Sequence, residues 1–331
     1  MAFSLFSSKN RIVNLVLNDH SVRFVELKQA NPPAAQKWCE RFLPPGVITD
    51  GKITDSDTLA NILEECIDEW KIKGRQVRFI VPDPLVIIRK VSIPADIQED
   101  EIKGYLYLEL GSSIHLPFEE PVFDYFPLAD NGKTRELLLF AAPEQNVMEY
   151  AEVFSSLKLT PIAAEISPLA LYRLYYQLGQ SKEKEVLFTV QFDLTSVNLC
   201  IFEETVPLVM RQFPLPFDIE KWEIKQDTAG RMVFKFTGET DELVMQFEDI
   251  LNEINKLVDF YRYTLSNEKR DVTKFLLNGD HPMLTAIYEE MEERFDIPVE
   301  MIELESDEKG KTGSVPANLL LSLGLALKEV K

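Results

Sequence analysis

The side chains with the most obvious chemical potential in this chain are His20, His115, His281, Cys39, Cys66, Cys200 and a dense acidic run at Glu289-Glu290 and Glu292-Glu293. None of the three histidines has a second His or Cys three or four residues away, the spacing by which a helix offers two ligands to zinc. No metal site is predicted from them. The cysteines are an odd set without a CxxC pair, which argues against zinc, redox work and a disulfide framework. Neither GxSxG nor GxxxxGK[ST] occurs. The acidic run reads as the solvated face of a helix whose other face carries Ile287, Met291 and Phe295, rather than as paired catalytic carboxylates.

Turns say more. A turn between two strands can cradle a phosphate if glycines let backbone N–H groups approach it. Asn18-Asp19-His20-Ser21 and Asp193-Leu194-Thr195-Ser196 contain no glycine. Leu277-Asn278-Gly279-Asp280-His281 contains one, followed by an acid that would repel a phosphate.

These turns belong to a regular order of elements. Ile12–Leu17, Ser21–Lys28 and Lys37–Leu43 read as three strands, Asp57–Trp70 as an amphipathic helix, and Val77–Val81 as a buried strand. From Val86 extended runs surround one helix at Glu99–Leu110, and strands at Val122–Leu128 and Glu136–Ala142 flank the hairpin signal Asp130-Asn131-Gly132. Helices at Glu144–Leu157 and Ser167–Gly179 precede three more strands at Val186–Gln191, Ser196–Phe202 and Pro207–Phe213. That opening repeats the first one in order and spacing. A hairpin candidate at Arg231–Phe236 follows, then the longest helical stripe, Glu242–Thr264. A strand (Lys274–Leu277), a helix (Met283–Phe295), a strand (Pro298–Ile302) and a helix (Ala317–Lys328) close the chain. The pattern predicts two α/β lobes, each begun by a three-strand meander. A length of 331 residues fits two lobes.

Thirty-five basic against 55 acidic residues give a formal charge of -20, so a phosphate backbone would be repelled over most faces and nucleic-acid binding is excluded as a general function. Residues 1–11 carry only Phe3, Leu5 and Phe6 as large apolar side chains, and runs such as Leu319–Leu327 are shorter than the ~20 residues a transmembrane helix needs. The expectation is a cytoplasmic chain without a transmembrane segment. Phe3, Leu5 and Phe6 ahead of Lys9 and Arg11 are a candidate contact with a membrane surface or a partner beside it.

Several segments, in order, resemble the PilM family of type IV pilus assembly proteins. Asn14–Leu27 aligns without a gap to that family's G-I-D-I-G-x-x-S-V-K-x-V-E-L, and Gly46-Val47-Ile48-Thr49-Asp50-Gly51-Lys52-Ile53 is similar to its G-x-I-x-D-G-x-I. Arg89–Pro94 with Glu101 resembles R-x-I-x-x-P and its following acid; Leu116-Pro117-Phe118 with Asp124-Tyr125 resembles I-P-F and D-Y. Ala141-Ala142-Pro143, Leu159-Thr160-Pro161, Leu169-Ala170-Leu171, Glu253–Tyr261, Leu277-Asn278-Gly279 and Leu323–Ala326 continue the order. Departures concentrate in the nucleotide loops. The family's first-turn Asp is Val16, its flanking glycines are Asn14 and Asn18, the second turn has Thr195 for glycine, and the partner of Gly279 is Asp280.

The resemblance implies an actin-like, FtsA-like fold: a first lobe core at 1–85 and 164–184, an inserted subdomain at 86–163, a second lobe core at 185–215 and 243–331, and a short insertion at 216–242. It implies a scaffold of pilus, competence or secretion assembly, recruited to the inner face of the membrane by the N-terminal cytoplasmic peptide of a PilN-like protein, with other platform proteins or the assembly ATPase as further partners. Ile114, Leu116, Phe118, Phe123 and Tyr125 of the insertion are the expected lining of the peptide groove. Ser21, Arg23, Asp193, Ser196 and Gly279 are the expected remnant of the nucleotide cleft, with no cofactor, no metal and no ATPase activity expected. The alternative is a working actin-like ATPase that switches or polymerises with ATP and magnesium; a sugar-kinase-type phosphotransferase is disfavoured by the same missing loops.

Overall fold

In the computed structural model, residues 12–130, 132–228, 232–266, 269–304 and 315–329 are described. Phe3, Leu5, Phe6, Lys9, Arg11, Asn131 and Arg231 lie outside them, as does part of the acidic loop at 303–309. The first strands are β1 (Val13–Asn18), β2 (Ser21–Ala30) and β3 (Pro33–Phe42), an antiparallel meander. Its first turn works without glycine because Asn18 Oδ1 accepts from both the N–H and the hydroxyl of Ser21, each at 2.8 Å. Two-residue strands β4 (Ile48–Thr49) and β5 (Lys52–Ile53) follow. Helix α1 (Ser56–Trp70) starts where Asp55 caps the N–H of Thr58 and stops at left-handed Lys71. Its stripe of Leu59, Leu63, Cys66, Ile67 and Trp70 is buried against the meander, where Phe24 stacks on Trp70.

Strand β6 (Gln76–Ile80) joins β1 in parallel and leads into the insertion: β7 (Ile87–Pro94), α2 (Ile102–Glu109), β8 (Pro121–Asp130) and β9 (Thr134–Pro143). These three strands form their own antiparallel sheet, ordered β7-β9-β8, with α2 over one face. After α3 (Glu144–Ser156) the chain returns as β10 (Thr160–Glu165), parallel to β6 at the outer edge of the first sheet, and enters α4 (Ser167–Gln177).

The second half repeats this plan. Strands β11 (Val186–Phe192), β12 (Ser196–Glu203) and β13 (Val206–Pro214) form a meander. A hairpin of β14 (Trp222–Gln226) and β15 (Met232–Phe236) comes next, then α5 (Thr240–Phe260), which runs into a π turn at Tyr261–Leu265. Strand β16 (Lys274–Asn278) adds parallel to β11, α6 (Leu284–Arg294) follows, β17 (Val299–Met301) adds parallel to β16, and α7 (Leu320–Ala326) ends the described chain.

The sheet orders β10-β6-β1-β2-β3 and β17-β16-β11-β12-β13 are the same plan traversed twice. The lobes are joined by a shared core layer. Helices α4 and α7 lie between the sheets, their Leu171, Tyr175, Leu320 and Leu323 meeting Val25 of the first and Leu187, Phe202 and Leu276 of the second. Gly324 permits that closeness, since a Cβ there would sit 2.1 Å from the Ala170 carbonyl oxygen.

Some strands escape the sequence pattern. β10 reads Thr-Pro-Ile-Ala-Ala-Glu, poor in β-branched residues, and is a strand because the edge of β6 pairs with it. β14 is a polar segment paired with β15 where only Arg231–Phe236 carries a hairpin signal, and β4–β5 is too short to show a period.

Candidate functional site

Two places where separate sheets face each other are candidates: a cleft between the lobes and a groove beside the insertion.

The cleft is lined by Val16, Asn18, Asp19 and Arg23 of the first lobe and Asp193, Thr195, Ser196 and Gly279 of the second. It brings Arg23, Asp193, Ser196 and Gly279 together, with Ser21 buried behind Asn18. Its charges are consumed internally. Arg23, on β2, donates through Nε to Glu40 Oε1 at 2.9 Å and through Nη2 to Asp280 Oδ2, both carboxylates being buried. His20 Nε2 lies 2.7 Å from the same Asp280 oxygen, while Asp280 Oδ1 accepts the N–H of Leu194 at 2.7 Å. Glu40 also accepts from Asn318 Nδ2 at 2.9 Å and from the N–H of Met232 at 3.3 Å.

This clasp ties β2 and β3 of one lobe to two loops of the other. Burial alone would raise the Asp280 carboxyl, but the Arg23 guanidinium and His20 hold it far below the usual carboxylate range. Arg23 in turn is held above its ordinary value by Asp280 and Glu40 despite its own burial. Asp193 goes the other way: burial, then the neighbouring Asp280 charge, push it up, although Gln191 Nε2 donates to it at 2.5 Å.

In sequence, Asp280 reads as an acid that would repel a phosphate; in the structure it is also the internal partner of Arg23 and His20. No local pattern could signal a pair 257 positions apart. Gly279 has a packing role, for at φ +132° its Cβ would lie 2.0 Å from the Phe192 carbonyl oxygen. The free volume left in the cleft is about 60 Å³, against roughly 300–1,000 Å³ for ordinary small-molecule pockets.

A second bridge lies beside the clasp. Asn198 of β12 donates to Ser167 Oγ at 2.9 Å, and Ser167 donates to Asp83 at 2.5 Å, linking the end of β6 to the second lobe through α4. Burial pushes the Asp83 carboxyl up to about 6, against the lowering effect of those hydrogen bonds. Among the described residues no group of three or more His, Cys, Asp or Glu side chains is arranged to hold a metal ion.

The groove is different in kind. About 500 Å³ of open space separates β8 and β9 of the insertion from the end of β10, the start of α4 and the turn before β13. Its apolar wall includes Val122, Phe126, Phe140, Ile166, Leu169 and Val206, and Glu165, Arg173 and Lys328 stand at a polar end. Both β8 and β10 are outer strands of their sheets, so unpaired backbone groups border the space.

The five residues expected to line a groove fall in different places. Phe123 and Tyr125 touch this space but pack mainly on the insertion's own core with Tyr105 and Leu110, and Tyr125 OH reaches the Glu99 carbonyl at 3.4 Å. Leu116 and Phe118 line a separate surface cavity. Ile114, expected to line the groove, is 7% exposed within that core and borders the same surface cavity as Leu116 and Phe118, not this groove. The residues that do present apolar surface are Val122 and Phe126, 43% and 48% exposed. They are the alternate residues of the same strand, opposite Ala142 and Leu138 of β9. Strand period two carries that signal in the sequence, but it does not say which face α2 covers.

The sequence profile of the family described as Type IV pilus assembly protein PilM matches residues 15–330. The chain belongs to the PilM family. Among solved structures, a PilM-PilN type IV pilus biogenesis complex superposes with a TM-score of 0.75 at 21% identity, covering 96% of this chain and 98% of that one. A Bacteroides thetaiotaomicron protein with an actin-like ATPase fold and unknown function gives 0.52 at 11% identity, covering 99% and 100%. The ethanolamine utilization protein EutJ from Carboxydothermus hydrogenoformans gives 0.50 at 13% identity, covering 95% and 88%. The fold of this PilM-family chain is thus the two-lobed actin-like one expected from sequence, and the family places it in type IV pilus assembly. No described helix is long and apolar enough to cross a membrane.

Proposed function

We propose that this PilM-family chain is an adaptor that grips an extended cytoplasmic segment of a PilN-like inner-membrane protein in the groove between β8 and β10. The observation that carries this reading is an open apolar space of about 500 Å³ bordered by two outer strands. An extended peptide can pair its backbone with such an edge and seat alternate side chains in apolar pockets. The similarity to a PilM–PilN complex supports the partner's class. With a formal charge of -20 the chain itself would be repelled by anionic lipid, so a protein tether is the economical route to the membrane. A basic tail would associate faster, in a salt-sensitive way.

On this reading the adaptor works without nucleotide. The cleft residues do not suit a magnesium nucleotide: Arg23 is committed to Glu40 and Asp280, Gly279 is packed on Phe192, and about 60 Å³ remains. The working-ATPase alternative needs a cleft that this clasp fills.

The test is the affinity of the partner's N-terminal cytoplasmic peptide for Phe126→Ala and Val122→Ala beside their thermal stability. Weaker binding at unchanged stability is expected; unchanged affinity in both variants removes the groove. Calorimetry with ATP and magnesium tests the second half, and micromolar binding would promote the ATPase reading.

A further inference from the structure

Arg78 is an anomaly in a chain with 20 more acids than bases. It sits in the middle of β6, directly across from Asn14 of β1, and is 6% exposed. Its Nη1 donates to the Ala326 carbonyl at 3.3 Å, a long bond, and its Nε has no partner. Among the described residues no carboxylate pairs with it. The nearby carboxylate of Glu165 is already shared by Arg173 at 2.6 Å and Lys328 at 2.7 Å. Glu26 is taken by Arg75 at 2.7 Å. Burial lowers the Arg78 pKa, and the Arg173 charge lowers it further.

Arg78 also has somewhere to point. A cavity of about 510 Å³, separate from the cleft, is lined by Asn14, Arg78, Leu327 and Lys328 and also by the Glu26 carboxylate, which Arg75 holds at 2.7 Å, with Glu329 exposed at its rim. Asn14 is 1% exposed, and its Oδ1 is a second buried atom without a partner on this lining. The residues around this cavity therefore include a buried guanidinium and the Lys328 ammonium beside the Glu26 and Glu329 carboxylates, and two of them, Arg78 and Asn14, each keep a fully buried polar atom without a partner. An ordered water would satisfy the hydrogen-bonding atoms but not the charge. A buried cation without a counter-ion is strongly unfavourable, and a guanidinium stays protonated under all ordinary conditions.

We propose that the Arg78 cavity is an oxyanion-binding site, taking a carboxylate or a phosphate on Arg78 and Lys328. A carboxylate would come from an acidic peptide residue, a phosphate from solution. Lys328 lines both this cavity and the peptide groove, whereas Arg78 lines this cavity and not the groove.

The experiment is thermal unfolding of the full chain at constant ionic strength, with chloride exchanged for inorganic phosphate in one arm and for N-acetyl-glutamate α-amide in the other. Saturable stabilisation of about 2–4 °C is expected in at least one arm, and the arm that saturates at lower concentration identifies the source. Arg78→Met should abolish the shift and melt at the same or a higher temperature than the parent without ligand, because it removes an uncompensated buried charge. Lys328→Met should weaken the response without abolishing it. Absence of a saturable shift in both arms overturns the proposal. So does a shift that survives Arg78→Met, or an unliganded Arg78→Met protein that melts lower, since Arg78 would then be satisfied within the chain.

Discussion

The cleft and the groove are both gaps between sheets, yet one is shut and the other open. Across the cleft, each lobe presents what the other lacks: a guanidinium and an imidazole from β2 and its turn meet the Asp280 carboxylate of the second lobe, and the N–H of Met232 in the second lobe reaches Glu40 of the first. Across the groove, the facing walls are mostly apolar, with Glu165, Arg173 and Lys328 only at one end, and about 500 Å³ stays open between them. Closure thus depends on complementarity between the walls, not on the architecture that brings them face to face.

The largest effect should come from breaking the clasp. Arg23→Ala leaves Asp280 and Glu40 buried without their cation, a type of change that costs about 3–5 kcal/mol. Asp280→Ala should cost a similar amount. The double variant Arg23→Ala with Asp280→Ala should cost clearly less than the sum of the two single variants, because Asp280 is then no longer stranded, although Glu40 still is. Chemical denaturation of the four proteins checks this. Strict additivity would mean that the two side chains are not coupled, and the contrast with the groove would lose its basis.

The groove should respond in binding rather than in stability. Phe126→Ala removes an apolar anchor that is 48% exposed, so a loss of about 1–2 kcal/mol in partner affinity is expected with little change in melting. Tyr125→Ala, on the opposite face of the same strand, should do the reverse by opening the core beneath α2. If Tyr125→Ala lost affinity and Phe126→Ala lost stability, the face assignment of β8 would be inverted.

That pair of variants also marks how far the sequence could be read. The repeated meander was legible because period-two alternation and turn residues are local. The departures from the family's loop pattern were legible because Val16, Asn14, Asn18 and Thr195 stand where glycines or an acid are expected. The clasp was not, for Arg23 and Asp280 meet only after both lobes have folded. Nor was the right face of β8, because alternation defines two faces and only the packing of α2 decides which is buried. β10 was missed for a related reason: Pro161, Ala163 and Ala164 have little strand propensity, and tertiary pairing overrides it.

A smaller effect tests whether the cleft is held by more than its main ion pair. Asp83, with Ser167 and Asn198, forms the second bridge, and burial raises its carboxyl to about 6. In the unfolded chain that group ionises near its ordinary value of 3.8. Below that pH it is protonated in both states and has no effect. Between the two values only the unfolded state ionises, so stability falls as pH rises, and above about 6 the full cost is present. Asp83→Asn keeps an oxygen for the Ser167 hydroxyl and removes the charge. It should therefore be more stable than the parent at pH 7 by about 1–2 kcal/mol, a gain that shrinks on acidification and vanishes below about pH 4. His281, pushed down to about 4 by burial, has the opposite dependence and loses stability as pH falls, but it is common to both proteins and drops out of the difference. Paired denaturation curves across this range give the answer. A difference independent of pH would show that Asp83 ionises normally, leaving the Arg23 clasp as the charged link between the lobes.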